Sequence, residues 1–180
     1  MPVIFLTSGT SFVTPSDWNS LDNTVEAIGD GGNGANAQGP LSGAGGGGGG
    51  AYAKRSNVTL SGTVSYQIGM GGSNTKTQFK DAQTLVADYG RTASGAAGGA
   101  GGLEANSVGD IVYAGGSGGT SGTLSGNGGA AGGGGAGGGR ANNAGGGEPG
   151  LGGGGAQGLI VITYNPSASD YVITKRRRRR

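Results

Sequence analysis

Residues 43–56 read GAGGGGGGAYAKRS, so six consecutive glycines, Gly45–Gly50, run directly into a segment rich in strand-forming residues. The same alternation recurs along the chain, in which 48 of the 180 residues are glycine, far above the usual share of ~7%. Three glycine-rich tracts cover 29–50, 90–102 and 115–158. How the chain orders these tracts decides its fold.

The β-prone runs between the tracts are short, and no window carries the 3.6-residue period of an amphipathic helix. Glycine costs ~1 kcal/mol per helical position relative to alanine, so the tracts disfavour helices. We therefore predict a mostly β fold with almost no helix, and a hairpin across Ser8–Thr10. The predicted strands are 3–6, 11–14, 23–28, 51–60, 63–68, 77–80, 84–87, 110–113 and 159–164.

Collagen is excluded for the glycine tracts, because a triple helix needs glycine at every third residue and abundant proline, whereas this chain has 5 prolines. A flexible linker remains open, although linkers are normally richer in serine, proline and charge. The ordered alternative to a linker is a bundle of packed polyproline II helices, which have three residues per turn and pack closely where side chains are absent. Such a face of Gly, Ala and Ser runs through positions 116, 119, 122, 125, 128, 131, 134 and 137.

The chain has no cysteine and no histidine. It therefore lacks disulfides, thiol chemistry and the commonest general base and metal ligand. The 10 acidic residues are scattered singly, and no Gly-x4-Gly-Lys-Ser/Thr phosphate loop occurs. We predict that the protein is not an enzyme and has no catalytic residues, no metal site and no cofactor.

The formal net charge of +2 combines two regions of opposite sign. Residues 175–180 hold six of the 12 basic residues, which leaves six basic groups against 10 acidic groups before them. The segment Met1–Leu6 lacks the charge and the long apolar run of a signal peptide or a membrane span. We therefore expect no membrane insertion.

Seven stretches share a recognisable pattern, namely VIFLTSGTSF (3–12), PSDWNS (15–20), NTVEAIG (23–29), GGGGGGAYAK (45–54), VSYQIG (64–69), ASG (93–95) and GAQGLIVITY (155–164). They resemble the glycine-rich domain of phage tail and prophage virion proteins. The resemblance spans residues 3 to about 166 and implies a β platform built from both chain ends plus glycine-rich segments, in a structural or fibre protein of the virion. A weaker likeness, in composition, is to glycine-rich tail-fibre adhesins, in which packed polyproline II helices present loops to a host receptor.

The resemblance divides the chain into a glycine-rich virion domain, 1–166, and a C-terminal extension, 167–180. A β-prone run directly before a basic cluster suits addition to a partner's sheet edge, with guanidinium groups clamped on carboxylates of another virion protein. Nucleic acid is a second partner for the arginines, and a solvated tail without a partner is a third reading. The predicted anchoring residues are Tyr171, Val172, Ile173, Lys175, Arg176, Arg177, Arg178, Arg179 and Arg180.

Large apolar side chains are too few to offset the entropy of ordering the tracts. We therefore expect a homo-oligomer, with a trimer as the commonest fibre symmetry. Tyr89 and Tyr113 are the candidate receptor-contact aromatics, because glycine tracts follow them closely. The other aromatic residues fit packing roles.

These observations favour a non-enzymatic virion protein, made in the host cytoplasm and displayed on a phage particle as a fibre, spike or decoration protein that contributes to host recognition. Two other classes fit the same residues. One is a free glycine-rich binding module. The other is a nucleic-acid-condensing protein that uses its arginine tail.

Overall fold

The structure, a computed structural model, describes residues 1–38, 42–120 and 150–167. Within these ranges it contains nine short strands and one turn of 3-10 helix, Glu104–Asn106, and no helix there is long and apolar enough to cross a membrane. The predicted mostly β, almost helix-free fold is confirmed. The strands are β1 (Val3–Leu6), β2 (Ser11–Val13), β3 (Asn23–Ile28), β4 (Tyr52–Ser56), β5 (Thr63–Gln67), β6 (Thr77–Phe79), β7 (Leu85–Ala87), β8 (Ile111–Tyr113) and β9 (Leu159–Tyr164).

The strands form two antiparallel sheets. The first has the order β1-β9-β3-β4-β8 and the second the order β2-β5-β6-β7. In the first sheet Val3 lies opposite Thr163 and Leu6 opposite Ile160, so the earliest and latest strands lie side by side. The expected β platform drawn from both chain ends is therefore present.

The hydrophobic core lies between the two sheets, and the two-residue alternation along the strands produces it. Val25 and Ala27 of β3 and Ile160 and Ile162 of β9 are fully buried, as is Phe79 of the second sheet. These residues belong to one continuous cluster. The two sheets thus form a sandwich around a single apolar core.

The predicted hairpin across Ser8–Thr10 is wrong. β1 pairs with β9 in the first sheet, whereas β2 pairs with β5 in the second. Gly9 has a φ of 93° and turns the chain from one sheet into the other. The strand predicted to reach residue 60 ends at Ser56, because Asn57 takes a left-handed conformation with a φ of 54°.

Six glycine-rich segments leave or enter the sandwich and pack side by side. Their mutual backbone hydrogen bonds recur at every third residue, which is the period of the polyproline II helix. We number the segments I (29–37), II (44–51), III (88–94), IV (97–103), V (114–119) and VI (150–158). The donors of segment I toward segment II are Gly29, Gly32 and Ala35, and those toward segment VI are Gly31, Gly34 and Ala37.

Packed glycine segments are therefore confirmed for the described ranges, and the flexible-linker reading is wrong for them. Residues 121–149, which contain most of the small-residue face traced in the sequence, lie outside the described residues.

Segment II lies at the centre of this bundle. All of 44–51 is buried, and its backbone exchanges hydrogen bonds with segments I, III, IV and V. A Cβ atom on Gly47 would come within 3.0 Å of segment I, and one on Gly48 within 3.0 Å of segment IV, distances that real Cβ atoms essentially never show. Four residues of the run, Gly45, Gly47, Gly48 and Gly50, thus have no room for a Cβ atom, because each faces the backbone of a neighbouring segment or turn.

Candidate interaction sites

The bundle extends from the sandwich in one direction. Strands β3, β7 and β8 lead into segments I, III and V, while segments II and VI lead back into β4 and β9. At about 3.1 Å per residue the segments reach about 20–25 Å from the sandwich. The described ends of the segments that point away from the sandwich therefore cluster on one side of the molecule, which we call the far end. The far end includes the turn in which Ser94 and Ala97 exchange backbone hydrogen bonds of 3.2 and 3.0 Å.

The two ends of the described chain lie on the opposite side, which we call the terminal end. β9 runs away from the bundle with β1 antiparallel beside it, so Met1 lies near Asn165. The amide of Asn165 donates to the Asp22 carbonyl at 3.0 Å, and that of Ser167 donates to the Asp17 carbonyl at 2.8 Å. These bonds fix where the chain leaves the sandwich. The predicted anchoring residues lie outside the described residues, namely Tyr171, Val172, Ile173, Lys175, Arg176, Arg177, Arg178, Arg179 and Arg180.

The two candidate receptor-contact aromatics lie where strands pass into the bundle. Tyr113 ends β8, is 58% exposed and stacks on Tyr52 at a centroid distance of 5.9 Å. Tyr89 is the second residue of segment III, just after β7, and the Arg91 guanidinium lies 4.3 Å from its ring centroid. The structure does not bring the two rings together at the far end, and receptor contact through them stays a prediction.

The outward face of the first sheet is an apolar surface that the sequence analysis missed. Antiparallel register places Phe5, Val161, Glu26, Lys54 and Ile111 in one row across all five strands. The signal was present in the runs VIFL and LIVI, which are apolar on both faces of a strand rather than alternating. We call this surface the outer face, and its apolar members are Val3, Phe5, Ile28, Tyr52, Ile111, Tyr113, Leu159 and Val161.

One ion pair lies in the middle of the outer face. Lys54 Nζ is 3.9 Å from Glu26 Oε1, and the hydroxyl of Tyr52 donates a 2.8 Å hydrogen bond to Glu26 Oε2. Burial and the neighbouring Glu26 carboxylate raise the pKa of Tyr52 well above its usual range. The phenol therefore keeps its proton and remains a donor at all physiological pH values.

Two fully buried aspartates stand where β3 and β7 enter the bundle, Asp30 and Asp88. Asp88 Oδ2 accepts hydrogen bonds from Arg91 Nη1 at 2.6 Å, from the Leu103 amide at 2.9 Å and from Asn106 Nδ2 at 3.2 Å. Burial raises the pKa of Asp88, but these donors outweigh it and hold the pKa below its usual value. The ionised carboxylate thus ties segment III to segment IV and to the 3-10 turn.

Asp30 lacks such partners. Neither of its carboxylate oxygens has a hydrogen-bond partner among the described residues. Burial, together with the negative charge of Asp88, raises the pKa of Asp30 to about 6, although nearby Ser73 offsets part of the rise. No group of three or more carboxylates that could hold a metal ion occurs in the described part of the chain.

A groove of about 480 Å³ lies between the β1–β2 connection and the end of β5. Its walls include Thr7, Tyr66, Ile68 and Met70, and the Tyr66 hydroxyl donates to the carbonyl of Ser8. No carboxylate, lysine or arginine is among the described residues that line this groove. The groove therefore offers a ligand shape, hydroxyl groups and amide groups.

No protein-family model matches the chain, and no curated protein matches it either. The resemblance to phage virion proteins stays a prediction that rests on the stretches quoted above. A fold alone does not assign a function. The feature of this molecule that bears on function is that the two ends of its described chain lie opposite the far end of the bundle.

Proposed function

We propose that this protein is a non-enzymatic structural protein of a phage virion, displayed on the particle surface as a fibre, spike or decoration protein and contributing to host recognition. The observation that carries the proposal is that Met1 and Ser167, the two ends of the described chain, lie on the side of the molecule opposite the outward ends of the bundle segments. A protein fixed to a particle through its terminal end would hold its far end outward.

The bundle suits the presentation of loops. Its segments are joined by backbone hydrogen bonds at every third residue, so their geometry does not depend on side chains in the connections. Connections on a rigid support tolerate sequence change and commonly carry recognition. The far-end turn at 94–97, which joins segments III and IV, would therefore vary with the receptor while the bundle stays constant.

The C-terminal extension suits attachment. Ser167 is held at the terminal end by the Asp17 carbonyl, so the residues that follow it start on the side that would face the particle. Residues 175–180 carry six positive charges, which favour an acidic protein surface. We propose that Tyr171–Thr174 adds a strand to a virion partner and that the arginines pair with carboxylates beyond it.

Particles purified from a lysate of the phage or prophage that carries the gene test this proposal. Mass spectrometry should detect the protein at a stoichiometric level, and deletion of 170–180 should remove it from the particles while the domain stays folded. Absence of the intact protein from purified particles, with the protein left in the soluble fraction, would favour the free binding module instead.

An epitope tag placed at one end or the other tests the orientation. A tag inserted after Gly95, in the exposed far-end turn, should bind antibody on intact particles, whereas a tag before Met1 should bind only after the particles are denatured. The reverse pattern would contradict the proposed orientation. A tail that binds nucleic acid would instead be inaccessible inside the particle and would crosslink to the genome.

A further inference from the structure

The outer face is unusual for an antiparallel sheet of this kind, because such sheets normally bury one face and expose a polar one. Here the buried face forms the sandwich core, and the opposite face is also mostly apolar. Phe5 is 63% exposed, Tyr113 58%, Val3 50% and Ile111 44%. A contiguous apolar surface of this extent on a protein in water marks an interaction site.

The charges on the outer face indicate what covers it. Glu26 and Lys54 lie opposite each other on β3 and β4, at the centre of the face. A two-fold axis parallel to these strands and midway between them would place Glu26 of each copy opposite the partner's Lys54. The face therefore complements its own charge pattern, which is a property that a two-fold interface requires.

The same axis also matches the apolar residues. It places β9 of one copy opposite β8 of the other across the interface. Val161 then faces the partner's Ile111, and Leu159 faces the partner's Tyr113. In the next row along the strands, Ile28 faces the partner's Tyr52. Charge meets opposite charge, and apolar groups meet apolar groups, without any change of register.

We propose that the outer face is the interface through which two copies of this chain associate, with their first sheets packed face to face. Aligned sheets pack about 10 Å apart with strand directions within about 30° of each other. A dimer covers β9, β3, β4 and β8 of both copies, while β1 with Val3 and Phe5 extends past the partner's β8. A trimer built from such pairs would leave one whole face uncovered. The dimer is thus the expected assembly unit in place of a trimer, and it does not depend on whether the protein belongs to a virion.

Sedimentation velocity at about 100 μM chain tests the proposal. The wild-type protein should sediment with twice the 17.1 kDa mass of one chain. Glu26→Lys and Lys54→Glu each place like charges opposite each other across the two-fold axis, so each variant alone should associate at least about tenfold more weakly.

Mixing the two variants provides the decisive test of the proposed charge pairing. A Glu26→Lys chain presents two positive groups at the centre of its face and a Lys54→Glu chain presents two negative groups, so the mixture should form a heterodimer. If dimers form on mixing, the weak association of each single variant cannot be due to misfolding, because mixing leaves the sequence of each chain as it was. Ile111→Lys, at a residue that is exposed in one copy, should also weaken association without unfolding the chain.

Lys80→Glu is the matched control. It makes the same charge change as Lys54→Glu, but Lys80 follows β6 of the second sheet, and its ammonium group donates to the Thr59 carbonyl. This variant should remain a dimer. A monomeric or trimeric wild-type protein, single variants that dimerise like the wild type, or a mixture that stays monomeric would each overturn the proposal.

Discussion

The sandwich and the glycine bundle fill their interiors in opposite ways. In the sandwich, large side chains such as Phe79, Leu85 and Ile160 are fully buried and fill the space between the sheets. In the bundle the buried apolar residues that contact one another are alanines, Ala35, Ala44 and Ala93 among them. The backbones of the bundle approach so closely that they pack against each other directly.

This difference predicts where each region is vulnerable. A core made of side chains loses stability when atoms are removed, because a cavity remains. A core made of backbones loses stability when atoms are added, because neither chain can move without breaking its hydrogen bonds to other neighbours. Ordering glycine is entropically costly, so the bundle needs dense hydrogen bonding and dispersion contacts on all sides.

The largest effect is expected for Gly48→Val in segment II. The added Cβ would lie 2.5 Å from the Ala100 carbonyl carbon and 2.9 Å from the Gly101 amide nitrogen. Both atoms are backbone and are held by segment IV, so we expect a loss of more than about 4 kcal/mol in the free energy of unfolding. Urea unfolding followed by circular dichroism measures it, and a stability within about 1 kcal/mol of the wild type would contradict close backbone packing.

The sandwich should respond most strongly to Phe79→Ala. Phe79 is fully buried and packs against Phe12 at a centroid distance of 6.0 Å. Truncation should cost about 3–5 kcal/mol. Trp18 fluorescence reports on this core, since the indole ring lies 6.5 Å from that of Phe12. The conservative variant Phe79→Leu should lose much less, and equal losses for both variants would contradict a packing role.

Replacing the two buried aspartates, Asp30 and Asp88, should change the free energy of unfolding in different ways. Asp88→Asn removes the charge that accepts bonds from Arg91 and Leu103, and it should cost about 1–3 kcal/mol at pH 7. Asp30→Asn removes a buried charge without partners, and it should leave stability unchanged or raise it. Paired thermal melts at pH 7 compare them, and a larger loss for Asp30→Asn than for Asp88→Asn would reverse our assignment of their roles.

The pH dependence follows from the raised pKa of Asp30. Its folded-state value of about 6 lies above the ordinary 3.8, so the folded protein binds more protons than the unfolded chain between these values. Stability should therefore fall as pH rises from about 4 to about 6, by about 1–3 kcal/mol, and then stay level. The Asp30→Asn variant should lose this slope, and a slope that persists in the variant would assign it to another group.

The smallest effect is expected for Gly154→Ala in segment VI. A Cβ at this position meets nothing within 4 Å, and the residue does not have a positive φ. The substitution should therefore be neutral or stabilise by up to about 1 kcal/mol, because alanine restricts the unfolded chain. Gly48→Ala is the matched comparison in the same assay. The difference in stability between the two variants separates the effect of backbone packing from that of glycine content.

Sequence patterns located most strands, because alternation in runs such as Asn23–Ile28 is a local property. They did not reveal strand partners, as the misassigned hairpin at Ser8–Thr10 shows, because β1 and β9 are brought together by the whole chain. The three-residue hydrogen-bond period of segments I–VI was foreseen only as an allowed geometry, since dense glycine produces small-residue rows by chance. The partnerless carboxylate of Asp30 could not be foreseen at all, because burial depends on tertiary contacts.

Site-resolved amide exchange in segment II tests whether backbone packing holds the bundle. Five amides of segment II donate backbone hydrogen bonds of 2.8–3.0 Å to segment III, to segment V and to the Gly95 carbonyl between segments III and IV, namely those of Gly45, Gly46, Gly48, Gly49 and Ala51. Their exchange should be at least about a thousandfold slower than in an unstructured chain, and comparable with that of β3. Exchange of these five amides at the unstructured rate, in a protein whose β3 amides remain protected, would contradict an ordered bundle.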